Sequence, residues 1–426
     1  MKISYINSAC LQIETSGKVI LTDPWFTDGA FNGSWHKIKD IDPFAYVKDP
    51  DIVYISHIHP DHYDPKFLRS LKRRYSEFIT LIPNSKNNYL ERKAYRDGIL
   101  VDPISYKEID GLHIHIIEND TGSISDIDSA LYIYDENTDI AFLNLNDCIF
   151  NNTHVKKIKT ISANYSSRID FMAAGYSGAS SYPQRYFDIN SEKNILLNEA
   201  HMKSKITLDR YKKYVNTFKA SINLPFAGEY LLGGKLHKYN DYRGIPDAIE
   251  TKAIDKNTIV LNHGGSIDLI TGKILSERKK PYSKKMLTKR LKDISLKKLD
   301  YEKHFKMPYE EINFDLMIRK SLNNALRKSE VIGNFFIMIT TLANDNEIEN
   351  FLVKVHRQEF IKVINQDQVP KKDIIRIRID YRLLFGLLSG LYHWNNVDLG
   401  SQFETRRPKK DKFKYERQNF LNFFSI

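Results

Sequence analysis

Short apolar runs separated by turn residues fill the chain up to about residue 280 and predict alternating strands and helices. Residues 2–25 predict two or three strands with a turn at Ser16-Gly17-Lys18. The run Ile52–Ile55 predicts a buried strand, and Asp64-Pro65 predicts a helix start, because Asp caps free amides and Pro suits the first helical position. The same patterns predict strands at 78–82, 112–117, 130–134, 140–147 and 258–261, and helices at 87–96 and within 187–223.

The pattern changes near residue 280 and predicts a second, smaller unit. Residues 276–299 are rich in lysine and poor in large apolar residues, which is typical of a linker. A helix is then predicted near 309–327, with strands near 335–340, 351–355 and 374–379 and an amphipathic segment from Tyr381. We therefore divide the chain into a larger domain of residues 1–280 and a small C-terminal α+β domain of residues 281–426.

Composition and charge narrow the classes of function. The 426 residues contain 64 Lys and Arg against 53 Asp and Glu, and the net charge of +11 favours an anionic partner. Basic runs such as Arg406–Lys410 lie at predicted boundaries, where solvated loops are usual, so we do not expect nucleic-acid binding. No apolar run reaches the roughly 18 residues of a membrane helix. The sequence also starts without a signal-peptide pattern, so we expect a cytoplasmic protein with no membrane partner.

Cysteine usage excludes two further kinds of site. Cys10 and Cys148 are the only cysteines, and they lie far apart in the sequence. Two cysteines are too few for a disulfide framework or for an iron–sulfur cluster held by cysteine alone. Any metal site in this chain must therefore be built from histidine and carboxylate ligands.

The strongest chemical signal is the hexapeptide His57-Ile58-His59-Pro60-Asp61-His62, which follows the strand predicted at Ile52–Ile55. Side chains two apart on an extended chain share a face, so His57 and His59 can bind one ion together. Pro60 turns the chain and carries Asp61 and His62 to another position. Two neighbouring ligand sets suit a two-metal centre with ions roughly 3.5–4 Å apart. A charged surface turn is the alternative interpretation.

Two other predicted strands end in candidate ligands. Asp147 ends the strand predicted at 140–147, and a buried carboxylate there needs a partner. His263 follows the strand predicted at 258–261 and precedes Gly264-Gly265, where backbone or substrate can approach closely. The ordinary alternatives are that Asp147 caps a turn or helix, and that His263 is a core residue whose ring nitrogens are hydrogen-bonded within the protein. The presence of the hexapeptide upstream favours the metal-binding interpretation of both residues.

With these ligands at successive strand ends, the sequence resembles the metallo-β-lactamase superfamily. The resemblance implies an α+β fold, a four-layer αββα sandwich with its metal site along one sheet edge, and makes residues 1–280 the catalytic domain. It implies six metal ligands: His57 and His59 on metal one, Asp61 and His62 on metal two, Asp147 bridging both, and His263 completing the second site.

One ligand of the resembled pattern has no clear counterpart. The superfamily usually supplies a third His to metal one before the bridging Asp, and only His113 and His115 are available. In the strand predicted at 112–117, apolar even positions face the core, so both histidines point away from it. Glu118 and Asp120 have the core-side parity. The missing ligand is thus one of these four residues, and a carboxylate there weakens the case for zinc against iron or manganese.

Several further motifs carry a closer resemblance: Asp23-Pro24-Trp25, Gly33-Ser34-Trp35, Asn146-Asp147-Cys148, residues 177–183 (SGASSYP) and residues 225–230 (PFAGEY). They are similar to the metallo-β-lactamase-like domain of the CMP-N-acetylneuraminate hydroxylase family. That resemblance implies an iron oxygenase of an N-acyl sugar nucleotide with an N-terminal Rieske domain. Because this sequence begins at the first sandwich strand and lacks the required Cys/His pairs, we expect no Rieske domain in it.

Three hypotheses of function follow. The first is a hydrolase with two divalent metal ions, zinc above all, in which Asp61 orients the attacking hydroxide. Its substrate is expected to be a phosphorylated or nucleotide-linked N-acyl sugar, or a similar anionic small molecule. The second is an iron-dependent oxygenase that receives electrons from a separate protein. The third is a binding protein built on a degenerate metal site.

Overall fold

The computed structural model describes residues 1–85, 87–119, 127–329, 334–363, 367, 369–371, 373–406 and 416–426. The strands are β1 (Lys2–Asn7), β2 (Cys10–Thr15), β3 (Lys18–Thr22), β4 (Trp35–His36), β5 (Ile52–Tyr54), β6 (Ile79–Pro83), β7 (Asp102–Ile104), β8 (Tyr106–Ile109), β9 (Leu112–Glu118), β10 (Ser129–Asp135), β11 (Ile140–Asn144), β12 (Phe171–Gly175), β13 (Ile222–Phe226), β14 (Leu231–Leu232), β15 (Leu261–Asp268), β16 (Ile274–Glu277), β17 (Phe336–Ala343), β18 (Asn346–Lys354), β19 (Glu359–Lys362), β20 (Ile374–Asp380) and β21 (Glu404–Arg406).

Helices alternate with these strands. The α-helices are α1 (Ala30–Gly33), α2 (Pro65–Arg74), α3 (Tyr89–Arg96), α4 (Asn152–Ala163), α5 (Lys193–Phe218), α6 (Lys284–Ser295), α7 (Asp300–His304), α8 (Phe314–Lys328), α9 (Tyr381–Leu388), α10 (Trp394–Leu399) and α11 (Glu416–Asn419). Short 3₁₀ helices span Pro43–Ala45, Gly234–Tyr242, Ala248–Ala253, Tyr309–Glu311, Val355–Arg357 and Phe420–Phe423. Within the described ranges, no helix combines the length and the apolar character needed to cross a membrane.

Two mixed sheets face each other across the main core. The first has the strand order β16-β15-β1-β2-β3-β5-β6-β7, and the second β13-β12-β11-β10-β9-β8. Their inner faces share one apolar cluster, in which Leu11 and Ile20 of the first sheet join Ile114, Ile133 and Phe142 of the second. Burying one apolar face of each sheet against the other removes both from water, which is the main stabilisation of a sandwich.

Helices cover the outer faces of both sheets. Helices α2 and α3 pack on the first sheet through a cluster that includes Phe67, Leu71 and Leu90. Helices α4 and α5 pack on the second sheet through a cluster that includes Ile158 and Tyr211. The layers therefore run helix, sheet, sheet, helix, which confirms the predicted α+β sandwich. Strand β13 corrects the predicted helix within 187–223, because the chain leaves α5 and pairs with β12 in parallel.

The C-terminal part forms its own five-stranded sheet, in the order β19-β18-β17-β20-β21. Its apolar side belongs to a cluster that also contains residues of the loop after β3, such as Trp25 and Phe31. In the same cluster, the rings of Trp35 and Tyr230 stack with their centroids 3.4 Å apart. The C-terminal unit thus shares a core with loops of the sandwich. The predicted boundary at residue 280 stays a prediction.

The lysine-rich stretch of residues 276–299, which was predicted to be a linker, contains a helix. Residues 284–295 form α6, which starts where the Ser283 side chain accepts a hydrogen bond from the Met286 amide. Arg290 of this helix donates to the Lys37 carbonyl at 2.9 Å and to Asp28 at 2.9 Å. Burial acts to raise the pKa of Asp28, but His36, Lys37 and Arg290 hold that pKa well below its usual range. The interpretation as a linker was wrong because capping and these contacts outweigh the weak apolar pattern.

Candidate metal centre

The histidine-rich turn lies between a strand and a helix that fix both of its ends. Strand β5 ends at Tyr54, and the Asp64 side chain caps α2 by accepting a hydrogen bond of 2.9 Å from the Phe67 amide. The other Asp64 oxygen accepts from the Thr27 amide at 2.7 Å, so the same residue holds the loop after β3. Asp64 therefore anchors the turn and takes no part in metal binding in this arrangement.

The structure brings His57, His59, Asp61, His62 and Asp147 together. The ligand atoms of His57, His62 and Asp147 all lie within 4.8 Å of one another. His57 Nε2 and His59 Nδ1 are 2.9 Å apart, and His62 Nε2 lies 3.5 Å from Asp147 Oδ2 and 3.7 Å from Asp61 Oδ2. Two donors that each bind zinc at 2.0–2.2 Å must lie within about 4.4 Å of each other. These spacings fit metal-ligand pairs.

His62 supplies the most direct sign that an ion belongs here. Its Nδ1 lies 3.0 Å from Asp23 Oδ2, which fixes the ring and places the ring proton on Nδ1. Its Nε2 is buried and, among the described residues, has no hydrogen-bond partner. A buried polar atom without a partner is costly, and here it faces two carboxylates. A divalent cation would satisfy the nitrogen and both carboxylates at once.

Asp23, which contacts His62, is itself held in place by hydrogen bonds from Ser56. Its two oxygens accept hydrogen bonds from the Ser56 amide at 2.7 Å and the Ser56 hydroxyl at 2.8 Å. Both residues are buried. An outer carboxylate of this kind commonly orients a ligating imidazole and raises its basicity.

Burial and charge give the histidines of the group different proton affinities. Burial lowers the pKa of His57 well below its usual value and that of His59 to about 4, with help from the neighbouring imidazoles. Both rings are therefore neutral near pH 7, the form that binds metals. Burial acts against the charge of His62 as well, but Asp61, Asp147 and Asp23 raise the pKa of His62 well above its usual value. These carboxylates favour a positive charge at the His62 ring, and a cation bound at Nε2 would supply that charge in place of the Nε2 proton.

Strained backbone gathers around the same group. Three non-glycine residues of the cavity wall have positive φ angles, Ser8 at 48°, Asn146 at 45° and Ala227 at 57°. Asp23, beside His62, has a φ of 39°. Such conformations carry roughly 1–3 kcal/mol of strain each and concentrate at functional sites.

The ligand group opens into a cavity of about 180 Å³. His59, Asp61 and Asp147 line one side of it. Arg210 lines it as well, held by a hydrogen bond of 2.6 Å from its guanidinium to the Ser177 carbonyl. The cavity therefore places a positive side chain in the same space as the metal group.

Asp128 is a site residue that the sequence analysis missed. Its Oδ1 lies 3.3 Å from His57 Nδ1, and it lines the cavity. It stands across the hairpin from Asn119, whose amide donates to the Asp128 carbonyl at 2.9 Å. The strand register, in which Glu118 pairs with Ser129, was the signal that could have found it. The parity argument had pointed to Glu118 and Asp120, and it did not identify Asp128, the carboxylate that lies beside His57.

Of the four residues considered for the missing ligand, the three that the structure describes, His113, His115 and Glu118, do not join the group. His115 Nε2 lies 2.9 Å from the Tyr165 hydroxyl, and His113 Nδ1 lies 3.0 Å from the Tyr106 hydroxyl. Both point to the outer face of the second sheet, as predicted from alternation. Glu118 shows no contact with the ligand group in the part of the chain that the structure describes, and Asp120 lies outside the described residues.

His263 is not brought into the group either, although it was expected to complete the second metal site. Its Nδ1 lies 3.0 Å from the Ile6 carbonyl, and its Nε2 lies 3.3 Å from the Tyr282 hydroxyl and 3.5 Å from Glu229. Glu229 is in turn paired with Arg278 at 3.2 Å. Both ring nitrogens of His263 thus have protein partners, which is the structural alternative to the ligand role.

Comparison with known proteins places the histidine-rich turn within a known domain family. Residues 2–159 match the model of the Beta-lactamase superfamily domain. These residues form a beta-lactamase superfamily domain. The domain match includes His57, His59, Asp61, His62 and Asp147 and ends before His263. It confirms the resemblance on which the metal ligands were assigned.

Curated relatives extend the likeness beyond that domain at low identity. A Mycolicibacterium smegmatis protein named as a Rieske 2Fe-2S iron-sulfur protein is 25% identical over 290 residues, 64% of this chain and 52% of that protein. The cytidine monophosphate-N-acetylneuraminic acid hydroxylase of Danio rerio is 24% identical over 236 residues, 54% of this chain and 38% of that protein. The chain thus spans about half or less of the length of these relatives.

Comparison with solved structures gives matches at low sequence identity. The isothiocyanate hydrolase from Delia radicum gut bacteria covers 63% of this chain and 99% of its own, with 13% identity and a TM-score of 0.42.

Proposed function

We propose that this chain is a metal-dependent hydrolase with a dinuclear centre. The observation that carries the proposal is His62 Nε2, a buried nitrogen with no hydrogen-bond partner among the described residues, which faces Asp61 and Asp147. Beside it stands the close pair of His57 and His59 nitrogens. Two ligand sets that share one carboxylate neighbour support two ions better than one.

The residues divide naturally between the ions. His57 and His59 would hold one ion, Asp61 and His62 the other, and Asp147 would contact both. Bound divalent ions make hydroxide available from water near neutral pH and stabilise developing negative charge. Within the chain, Asp61 lines the cavity and can accept a proton from a water molecule there. Asp23 keeps His62 in the tautomer whose Nε2 is free to bind.

The cavity supports an anionic substrate. Arg210 presents a guanidinium, the side chain best suited to carboxylate and phosphate groups, to the space beside Asp147. Ser177 and Tyr214 line the same region. Together with the likeness to a cytidine monophosphate-N-acetylneuraminic acid hydroxylase, this favours a phosphorylated or nucleotide-linked N-acyl sugar, or a similar anionic molecule. Zinc is the proposed metal because His and Asp ligands of this kind bind it.

An iron-dependent oxygenase is the second candidate, and the names of two curated relatives, a hydroxylase and a Rieske protein, favour it. Asp128 lies 3.3 Å from His57 Nδ1, the ring nitrogen opposite to Nε2, so it would orient the His57 ring as Asp23 orients that of His62. An oxygenase would need electrons from a separate partner protein, since this chain has only two cysteines.

Elemental analysis of protein purified without added metal, joined to activity and oxygen-uptake measurements, tests the proposal. Two equivalents of zinc and hydrolysis of a phosphoester or amide panel without oxygen uptake would support the hydrolase. Bound iron with oxygen uptake under a supplied reductant, and no hydrolysis, would replace it by the oxygenase. The variant His59→Ala tests the third hypothesis, with His115→Asn as the control. If His59→Ala alters neither the metal content nor the cellular phenotype, the protein is a binding protein built on a degenerate metal site.

A further inference from the structure

The C-terminal unit reaches the metal group through one side chain. Asn395, in the short helix α10, places its amide nitrogen Nδ2 at 3.1 Å from His59 Nε2. The two residues are 336 positions apart in the sequence. Leu399 at the end of the same helix lines the cavity. The wall of the candidate site is therefore built partly from the C-terminal unit.

Helix α10 is fixed in this position from both sides. The Trp394 indole donates to the Phe424 carbonyl at 2.8 Å, which ties the helix to the end of the chain. On the other side, the Trp35 indole donates to the Leu399 carbonyl at 3.3 Å, and the Ser34 hydroxyl donates to the next carbonyl, that of Gly400, at 2.5 Å. The contact between Asn395 and His59 is thus held by packing that does not depend on either side chain.

The orientation of the Asn395 amide and the tautomer of His59 depend on each other. If Asn395 Nδ2 donates to His59 Nε2, the ring proton must lie on Nδ1, from which it can be donated to His57 Nε2 at 2.9 Å. A metal bound at His59 Nδ1 requires the opposite tautomer, with the proton on Nε2. The ring stays neutral in the exchange, because one proton leaves Nδ1 and one from water binds Nε2.

An asparagine side chain can form a hydrogen bond to His59 Nε2 in both the metal-free and the metal-bound tautomer. Its amide carries a donor and an acceptor of nearly equal shape, and a half turn about the Cβ–Cγ bond exchanges them. After that turn, Oδ1 would accept the proton of His59 Nε2 and leave Nδ1 free for the ion. Orientation of a ligating imidazole through its second nitrogen is a common property of protein metal sites.

We propose that Asn395 is a positioning residue that sets the tautomer of His59, so that the C-terminal unit controls metal binding by the superfamily domain. The proposal rests on the metal centre of the proposed function but not on which reaction that centre performs. It also explains why a residue from so distant a part of the chain approaches a metal ligand.

Three variants test the proposal: Asn395→Ala removes both partners, Asn395→Asp keeps only an acceptor, and Asn396→Ala changes the neighbouring residue of the same helix. Zinc affinity is measured by competition with a chelator, and thermal melting of the metal-free proteins checks the fold. Loss of an outer partner typically weakens metal binding by about 10- to 100-fold, and we expect that loss for Asn395→Ala. Asn395→Asp should bind zinc at least as tightly as the unmodified chain, and Asn396→Ala should match it within about twofold.

Nitrogen-15 shifts of labelled histidine give a second measurement that does not depend on activity. In the metal-free protein, His59 Nε2 should be unprotonated, and in Asn395→Asp it should carry the proton. Equal zinc affinities in Asn395→Ala and the unmodified chain, or equal losses in Asn395→Ala and Asn395→Asp, would overturn the inference. If the unmodified chain binds no metal, the proposed function itself fails, which is a distinguishable result.

Discussion

His62 and His263 both stand close to the end of a predicted apolar strand, yet their surroundings are opposite. His62 has one nitrogen on Asp23 and the other facing Asp61 and Asp147 without a hydrogen-bond partner among the described residues. Both nitrogens of His263 have partners, and the carboxylate beside it, Glu229, is paired with an arginine. In the first group negative charge outweighs the positive charge in contact with it. In the second group the charges are balanced.

This difference separates a metal site from a structural histidine more sharply than sequence position does. Buried carboxylates must be compensated, either by protein cations or by a bound ion. Arg278 bridges Glu229 and Asp247, at 3.2 Å and 2.8 Å, and so completes the His263 group from within the protein. The His62 group instead borders a cavity through which an ion can enter.

Removing His62 should have the largest effect on metal binding. Structural zinc sites gain roughly 10–16 kcal/mol from about four ligands, so the loss of one ligand should weaken binding by roughly 100- to 1000-fold. We expect His62→Ala to lose its metal during dialysis against a weak chelator, as measured by elemental analysis. Circular dichroism of the metal-free protein serves as the control for folding. Full metal content after dialysis would contradict the assignment of His62.

Glu229→Gln should act on stability instead of metal content. Breaking a buried ion pair typically costs about 3–5 kcal/mol, because the remaining charge is left uncompensated. The retained contact between Arg278 and Asp247 should keep the loss near the lower value. Urea denaturation measures the change in the free energy of unfolding. If Glu229→Gln lost metal without being destabilised, the His263 group would belong to the metal site, and the contrast between the two groups would be wrong.

Asp23→Asn should have an intermediate effect that is specific to the first group. The variant can still contact His62 Nδ1, but it lacks the charge that favours the tautomer with a free Nε2. We expect metal affinity to fall by about 10- to 100-fold. Chelator competition measures it, and His263→Gln is the matched variant of the second group, for which affinity should change by no more than about twofold. Equal losses of metal affinity in Asp23→Asn and His263→Gln would show that the His62 and His263 groups belong to one metal site.

His115→Asn should have the smallest effect. The ring contacts Tyr165 on the outer face of the second sheet and belongs to neither buried group. We expect metal affinity within about twofold of the unmodified chain and a loss of stability within roughly 1 kcal/mol, since one side-chain hydrogen bond is exchanged. Isothermal titration with zinc and urea denaturation measure the two quantities. A large loss of metal affinity would return His115 to the ligand set.

The sequence predicted the features that depend on neighbouring residues. The alternation of β9 correctly turned His113 away from the core, and the Asp64-Pro65 pair correctly marked the start of α2. The hexapeptide is positioned by local structure, because it lies between the end of β5 at Tyr54 and the start of α2 at Pro65. Asp147 was predicted for the same reason, as a carboxylate at the end of an apolar strand.

The features that were missed depend on contacts between distant segments. Asp128 reaches His57 only through the register of the β9–β10 hairpin, and the partners of His263 come from three other parts of the chain. The helix α6 depends on a serine cap and on Arg290 reaching Asp28, neither of which leaves an apolar period. Local patterns therefore locate ligands, and only tertiary contacts decide which of them share a site.

The contact between Asn395 and His59 also has a consequence for the order of events during synthesis. A ribosome completes His59 long before Asn395, which is 336 positions later, so a nascent chain can carry the histidine turn while α10 does not yet exist. A metal ion that arrives at that stage meets ligands without their final orientation. The wall that Leu399 lines and the contact of Asn395 with His59 can form only after α10 has been synthesised and has packed against Phe424. The final orientation of His59 therefore follows the synthesis of α10.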